Sequence, residues 1–294
     1  MAAALVLPAT AFAGWREELG TFRIGIAAQP GAGETVQGVS RIKDAFSQVL
    51  AMPVEVFVAR DLAALIEAQA AARVEYAVYP VTAYAVAQRL CECVEPIVAP
   101  VGADGSTGLR AVLVGRAGKA TALDRLAGVR IAVPPSDAVA GNLLAMGGLA
   151  AASINLPESG ATIVEASGAS AAEAMFVDGS VDALIGWEPA LPGADDPPGG
   201  TRARLVAAGI DPATLVTLWR SEPLRYGPHA LHTGLDPEVR RLLVPFLTGM
   251  LDVMPDVYEL METQHGGGFR PVTQDDYASA IEMIDHATRA GVHN

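Results

Sequence analysis

Residues able to hold a small molecule fall in four short stretches. "YPVTAY" puts Tyr79 and Thr82 where an apolar strand enters a helix; each is a ligand contact or is used locally, Tyr79 as a core phenol and Thr82 as a helix cap. "IGWEPA" sets Trp187 beside Glu188 at a strand end, an aromatic platform next to a carboxylate that suits a cationic or hydroxylated ligand. The alternative is a rim tryptophan under the Pro-rich loop that follows. "RSEPLRYGPHALH" supplies Arg225, Tyr226 and His229; one of them facing a cleft is expected, with His229 also readable as a structural histidine. The fourth stretch, Val129 to Ala152, reads as strand, Pro-Pro turn, Ser136-Asp137 and an apolar helix. A helix start offers unpaired N–H groups and the positive end of a dipole to an anion. Its first turn, Asp137, Ala138, Val139 and Ala140, brings an acid and no side-chain donor, so Asp137 is either part of a site or a helix N-cap.

Covalent and metal chemistry find no footing. The carboxylates have no partner at catalytic spacing, no G-x-S-x-G elbow occurs, and no His-rich spacing suits a metal. "AAQPGAGE" is glycine-rich but lacks G-x-G-x-x-G, and reads as a turn that lets Gln29 or backbone N–H groups reach a cleft. Neither a cofactor, a metal nor catalysis is expected. Cys91 and Cys93 have no further ligand nearby for zinc; they read as buried thiols at a strand start, with a disulfide between them as the alternative.

These residues need a frame. The chain has 294 residues, 51% of them hydrophobic, enough for two lobes that each bury a core. A net charge of −13 leaves no basic face for a phosphate backbone, so nucleic acid is not an expected partner. "MAAALVLPATAFAG" is a short apolar run ending in Ala11-Phe12-Ala13, which reads as the remnant of an export signal over residues 1–13, or as a frayed apolar terminus. The lack of Lys or Arg before Arg16 fits a start inside a longer precursor.

Strand and helix patterns then alternate: "FRIGIAA", a helix with Val36, Val39, Ile42, Phe46 and Val49 on one stripe, "PVEVFVA", a helix capped by Asp61, "VEYAVYP", and "VTAYAVAQRL". A second series follows "GLRAVLVGR": a short helix from Thr121, a strand to Val133, the helix of the fourth stretch, "ATIVEA", a helix closing on Gly179, and "VDALIGWEP". Leu191 to Thr201 is a Pro/Gly-rich loop, "LVTLWRS" and "PHALHTG" are extended, and the rest is mainly helical. This is an α/β protein of two lobes joined by two crossings. Lobe one is expected from 14–113 plus 218–294 and lobe two from 114–217, with ligands bound between them beyond the strand ends.

Four segments carry a family likeness. "VFVARDLAALIEAQAAARVEYAVYPVTAYAVA", "ALDRLAGVRIAVPPSDAVAGNLL", "ASGASAAEAMFVDGSVDAL" and "GGGFRPVTQDDYASAIEMI" resemble, in order, segments of the phosphonate/phosphite-binding proteins of ABC importers, over about Phe22 to Ala287. The resemblance implies a type II periplasmic-binding-protein fold and a monomer that closes on a small polar solute in the periplasm. It also implies delivery to an inner-membrane ABC permease. Tyr79 matches the family's binding tyrosine and Glu188 an acidic binding position. The family's Ser-Thr-Ser anion cluster, however, reads Ala138, Val139 and Ala140 here, its histidine falls on Ala169 or Ser170, its aromatic on Leu62, and its acid in the last crossing near Gly227. The resemblance thus implies an anion-binding scaffold with its side-chain donors replaced. A ligand-sensing domain for a membrane partner, or an enzyme on the same bilobal fold, are the alternative readings.

Overall fold

The computed structural model describes residues 14–27, 38–193, 197–289 and 291. The export signal, Gln29 and Val36 lie outside these residues. After α1 (Trp15–Leu19), the first series is β1 (Phe22–Ala27), α2 (Val39–Leu50), β2 (Val54–Ala59), α3 (Leu62–Ala70), β3 (Tyr76–Val78), α4 (Val81–Cys91) and β4 (Val94–Gly102). Asp61 caps α3 as its position predicts, accepting from the Ala64 N–H at 2.7 Å. The second series is β5 (Gly108–Arg116), β6 (Arg130–Val133), a π-turn at Val139–Leu143 continuing into α5 (Leu144–Ala151), β7 (Thr162–Glu165), α6 (Ala169–Val177), β8 (Ala183–Pro189), α7 (Gly200–Ala207), β9 (Leu215–Arg220) and β10 (Leu224–Arg225). The chain returns through β11 (His229–His232), α8 (Pro237–Thr248), α9 (Met250–Val253), α10 (Pro255–Met261), β12 (Gly266–Pro271) and α11 (Ala278–Arg289).

Two sheets result. The first runs β12-β4-β11-β3-β1-β2 and the second β10-β5-β8-β6-β7, with β9 also paired to β5. The boundaries expected at 113/114 and 217/218 therefore move. β5 pairs with β8 from Leu109 to Gly115, and β9 and β10 pair with β5, so Gly108–Leu113, Leu218–Arg220 and Leu224–Arg225 belong to the second sheet. The crossings are 103–107 and 226–228.

Three packing clusters hold these sheets. One buries Phe22, Phe46, Tyr76, Leu243, Tyr258 and Phe269 in lobe one, and another buries Phe176, Leu184 and Leu205 under α6 and α7. The third passes from Tyr84 through Tyr277 and Met283 to Leu149 and Leu113, so α11 packs on both α4 and α5 and ties the lobes rather than completing lobe one alone. Arg89–Asp285 at 3.0 Å adds an ion pair between α4 and α11.

Four local expectations are corrected. Thr121 starts no helix: five residues between Ala120 and Leu126 leave too few backbone pairs to offset nucleation. Past the loop from Leu191, residues Gly200–Ala207 form a helix. β12 is a strand despite its three glycines; a Cβ at Gly267 would lie 2.4 Å from the Gly102 carbonyl oxygen, so glycine permits the close pairing with β4. Cys91 and Cys93 are joined in a disulfide, with Cα atoms 5.0 Å apart, at the end of α4 rather than a strand start. Glu92 between them takes the left-handed conformation that turns the chain into β4.

Candidate ligand-binding site

The parallel strands β1, β2 and β3 of lobe one and β6, β7 and β8 of lobe two end where the crossings run. Their helices begin there, so N–H groups gather at the lobe junction. No helix among the described residues is long and apolar enough to cross a membrane.

Tyr79 sits on the turn between β3 and α4, 2% exposed, and its hydroxyl has no hydrogen-bond partner among the described residues. Burial pushes the phenol well above its ordinary range, so it stays protonated. Its backbone N–H donates to the Pro228 carbonyl at 3.1 Å, fixing the turn against the second crossing. Thr82 is half-buried at the second position of α4 and does not cap it; the N-cap is Pro80.

The fourth stretch departs from expectation. Asn142 and Leu143 both donate backbone N–H groups to the Ala138 carbonyl, at 2.8 and 3.0 Å, which opens a π-turn with Ala138 at the N-cap. Asp137 is exposed and caps nothing. Ser136 is exposed too, and with lobe-two residues including Asn142, Met146 and Glu165 it lines a cavity of about 430 Å³.

The Trp187–Glu188 platform is used internally. Glu188 is 4% exposed and accepts from Arg220 Nε at 2.7 Å. The Arg204 guanidinium lies 5.0 Å over the Trp187 ring and is itself held by Glu173. A carboxylate neutralised this way offers little to a cationic ligand.

Tyr226 joins the crossings. Its hydroxyl lies 2.9 Å from Ser106 Oγ, its ring centroid is 3.8 Å from that of His265, and its carbonyl accepts from the Tyr277 hydroxyl at 3.0 Å. Ser106 also donates through its hydroxyl and N–H to Asp104, holding that carboxyl below its ordinary range. Ser106, Asp104 and His265 were not among the expected residues; the turn in "GADGST" was the available signal.

His229 belongs to the core of lobe one, not to a cleft. It is 1% exposed, bonded through Nδ1 to the Tyr76 hydroxyl and packed on Phe269. Burial pushes its imidazole down to about 4, against a weaker upward pull from Glu262. Between that value and the unfolded value of about 6.5, the unfolded chain binds a proton that the folded protein does not. Stability is therefore full above about pH 6.5 and falls by up to about 3 kcal/mol as pH drops towards 4. Denaturation curves across this window are expected to show that slope in the wild type and to lose it in His229→Gln.

Two sheets crossed twice, with the strand ends facing one junction, define a type II bilobal binding protein. Residues 24–277 match the family described as the periplasmic substrate-binding protein of phosphonate ABC transporters, and the chain belongs to that family. The family implies a periplasmic protein with a small-molecule ligand and an ABC permease partner, and a chain that binds its substrate as the solute-binding component of an importer. The fold is similar to a Xanthomonas citri protein solved bound to ATP, at 16% identity and TM-score 0.57, covering 93% of this chain and 99% of that one. Transferrin 1 from Manduca sexta is similar at 13% identity and TM-score 0.63, with 92% of this chain matching 46% of that one. A binding protein component of a phosphonate ABC transporter from Pseudomonas aeruginosa matches at 17% identity and TM-score 0.44, over 93% and 89% of the two chains. No curated protein matches the sequence.

Proposed function

We propose that the solute captured is a small oxyanion of the phosphonate class, held at the lobe junction by the Tyr79 hydroxyl and by N–H groups at the starts of α4, of the π-turn and of α6. Thr82 adds a hydroxyl from α4. The observation that carries this reading is the buried, unpartnered Tyr79 hydroxyl: a phenol kept protonated is a donor awaiting an acceptor. The pairing of Glu188 with Arg220 supports it from the other side, because it removes the carboxylate that would have favoured a cation. Backbone donors take the place of the family's hydroxyl cluster, which makes the binding weaker than a full set of side-chain donors gives.

The protein acts without catalysis, as an exported monomer released from an N-terminal signal. The test is a panel of thermal melts with methylphosphonate, phosphite, phosphate and sulfonates against neutral and cationic metabolites. A ligand at a hundred times its Kd adds about 2.7 kcal/mol. Stabilisation by phosphorus oxyanions is expected; stabilisation only by a neutral or cationic compound would discard the oxyanion reading while leaving a solute-binding protein.

A further inference from the structure

At the β12 edge of the first sheet, away from the β3–α4 turn that carries Tyr79, a second cavity of about 220 Å³ opens between the lobes. Val101 and Val272 of lobe one, Thr107 of the first crossing, Pro192 from the loop after β8, and two arginines, Arg225 and Arg270, line it. Arg225 stands at the end of β10 in the second sheet and Arg270 in β12 of the first, so the cations come from opposite lobes. Arg225 is already paired with Asp276 at 2.7 Å. The Arg270 guanidinium is exposed and makes neither an ion pair nor a hydrogen bond among the described residues, in a chain where 33 acidic residues face 20 basic ones. Counting Asp276, the cavity carries one net positive charge.

We propose that this cavity binds a small organic carboxylate, its oxygens on the Arg270 guanidinium with Arg225 beside it and its short chain against the valine and proline walls. A guanidinium is a forked donor matched to a carboxylate, and desolvation by apolar walls strengthens the contact. The volume takes an acid of a few carbons. Because the walls belong to both sheets, the bound anion joins the lobes beside the hinge. Its occupancy therefore biases lobe closure, through a site separate from that of Tyr79.

The test follows the Arg270 side-chain Nε–Hε resonance in 15N-labelled full-length protein while butyrate is added at constant ionic strength, with inorganic phosphate as a parallel titration. The resonance is assigned by its absence in Arg270→Gln, an exposed substitution that leaves the fold intact. The expected result is a saturable shift with butyrate, weaker binding of phosphate, and at least a tenfold loss of butyrate affinity in Arg270→Gln, read from the backbone amides of Val101 and Thr107. A shift that grows linearly without saturating, equal affinity for phosphate, or unchanged butyrate affinity in Arg270→Gln would overturn the proposal.

Discussion

Gly227→Ala is expected to destabilise the protein and to weaken solute binding together. A Cβ on Gly227 would lie 2.0 Å from the carbonyl oxygen of Tyr79 and 3.0 Å from the Cα of Pro80. Those are backbone atoms of the β3–α4 turn, so no side-chain rotation relieves the contact, and the second crossing has to move off the turn. Overpacking of this kind costs about 1–3 kcal/mol, and the upper part of that range applies where backbone must shift. The same displacement breaks the Tyr79 N–H to Pro228 bond and misplaces the phenol. Urea denaturation and a ligand titration on one preparation check both halves. Gly249→Ala is the control: its Cβ would come no closer than 3.4 Å to the Pro245 carbonyl oxygen, and less than about 1 kcal/mol of change is expected there.

Tyr79→Phe is expected to separate stability from binding. In the ligand-free protein the hydroxyl is buried without a partner, and such a group costs about 1–3 kcal/mol. Phenylalanine keeps the ring and removes that cost, so the ligand-free melting point should stay level or rise. In the proposed complex the hydroxyl donates to a charged oxygen, worth about 1.5–3 kcal/mol, and its loss should raise Kd by roughly 10- to 150-fold. A fall in ligand-free stability would mean that the hydroxyl has a structural partner, and an unchanged Kd would remove Tyr79 from the site. Calorimetric titration beside a thermal melt reads both.

What the sequence could convey was set by range. Strand-helix alternation is local, so the two series, the Asp61 cap and the segments around Tyr79 could be read from neighbours alone. Pairing is not local. Glu188 looks like a free carboxylate at a strand end until Arg220, on a strand beyond α7, closes on it; Trp187 looks like an open platform until Arg204 covers it. His229 reads as a candidate beside Tyr226, yet Gly227 and Pro228 carry the chain from the crossing into β11, where His229 is a core position. The Asp137 signal was sound as a local preference, but the chain enters its helix one residue later through a π-turn, and the carboxylate is left in solvent. The lobe boundaries moved because β5, apolar from Ala111 to Gly115, carries no mark of which sheet it joins.

The most direct test of oxyanion capture at the lobe junction is a calorimetric titration of methylphosphonate into the wild-type protein at pH 7.5, where His229 is neutral in both folded and unfolded states. The account predicts saturable binding of one equivalent that inorganic phosphite displaces. An absence of heat and of competition for phosphorus oxyanions, alongside saturable binding of a neutral or cationic metabolite, would contradict it.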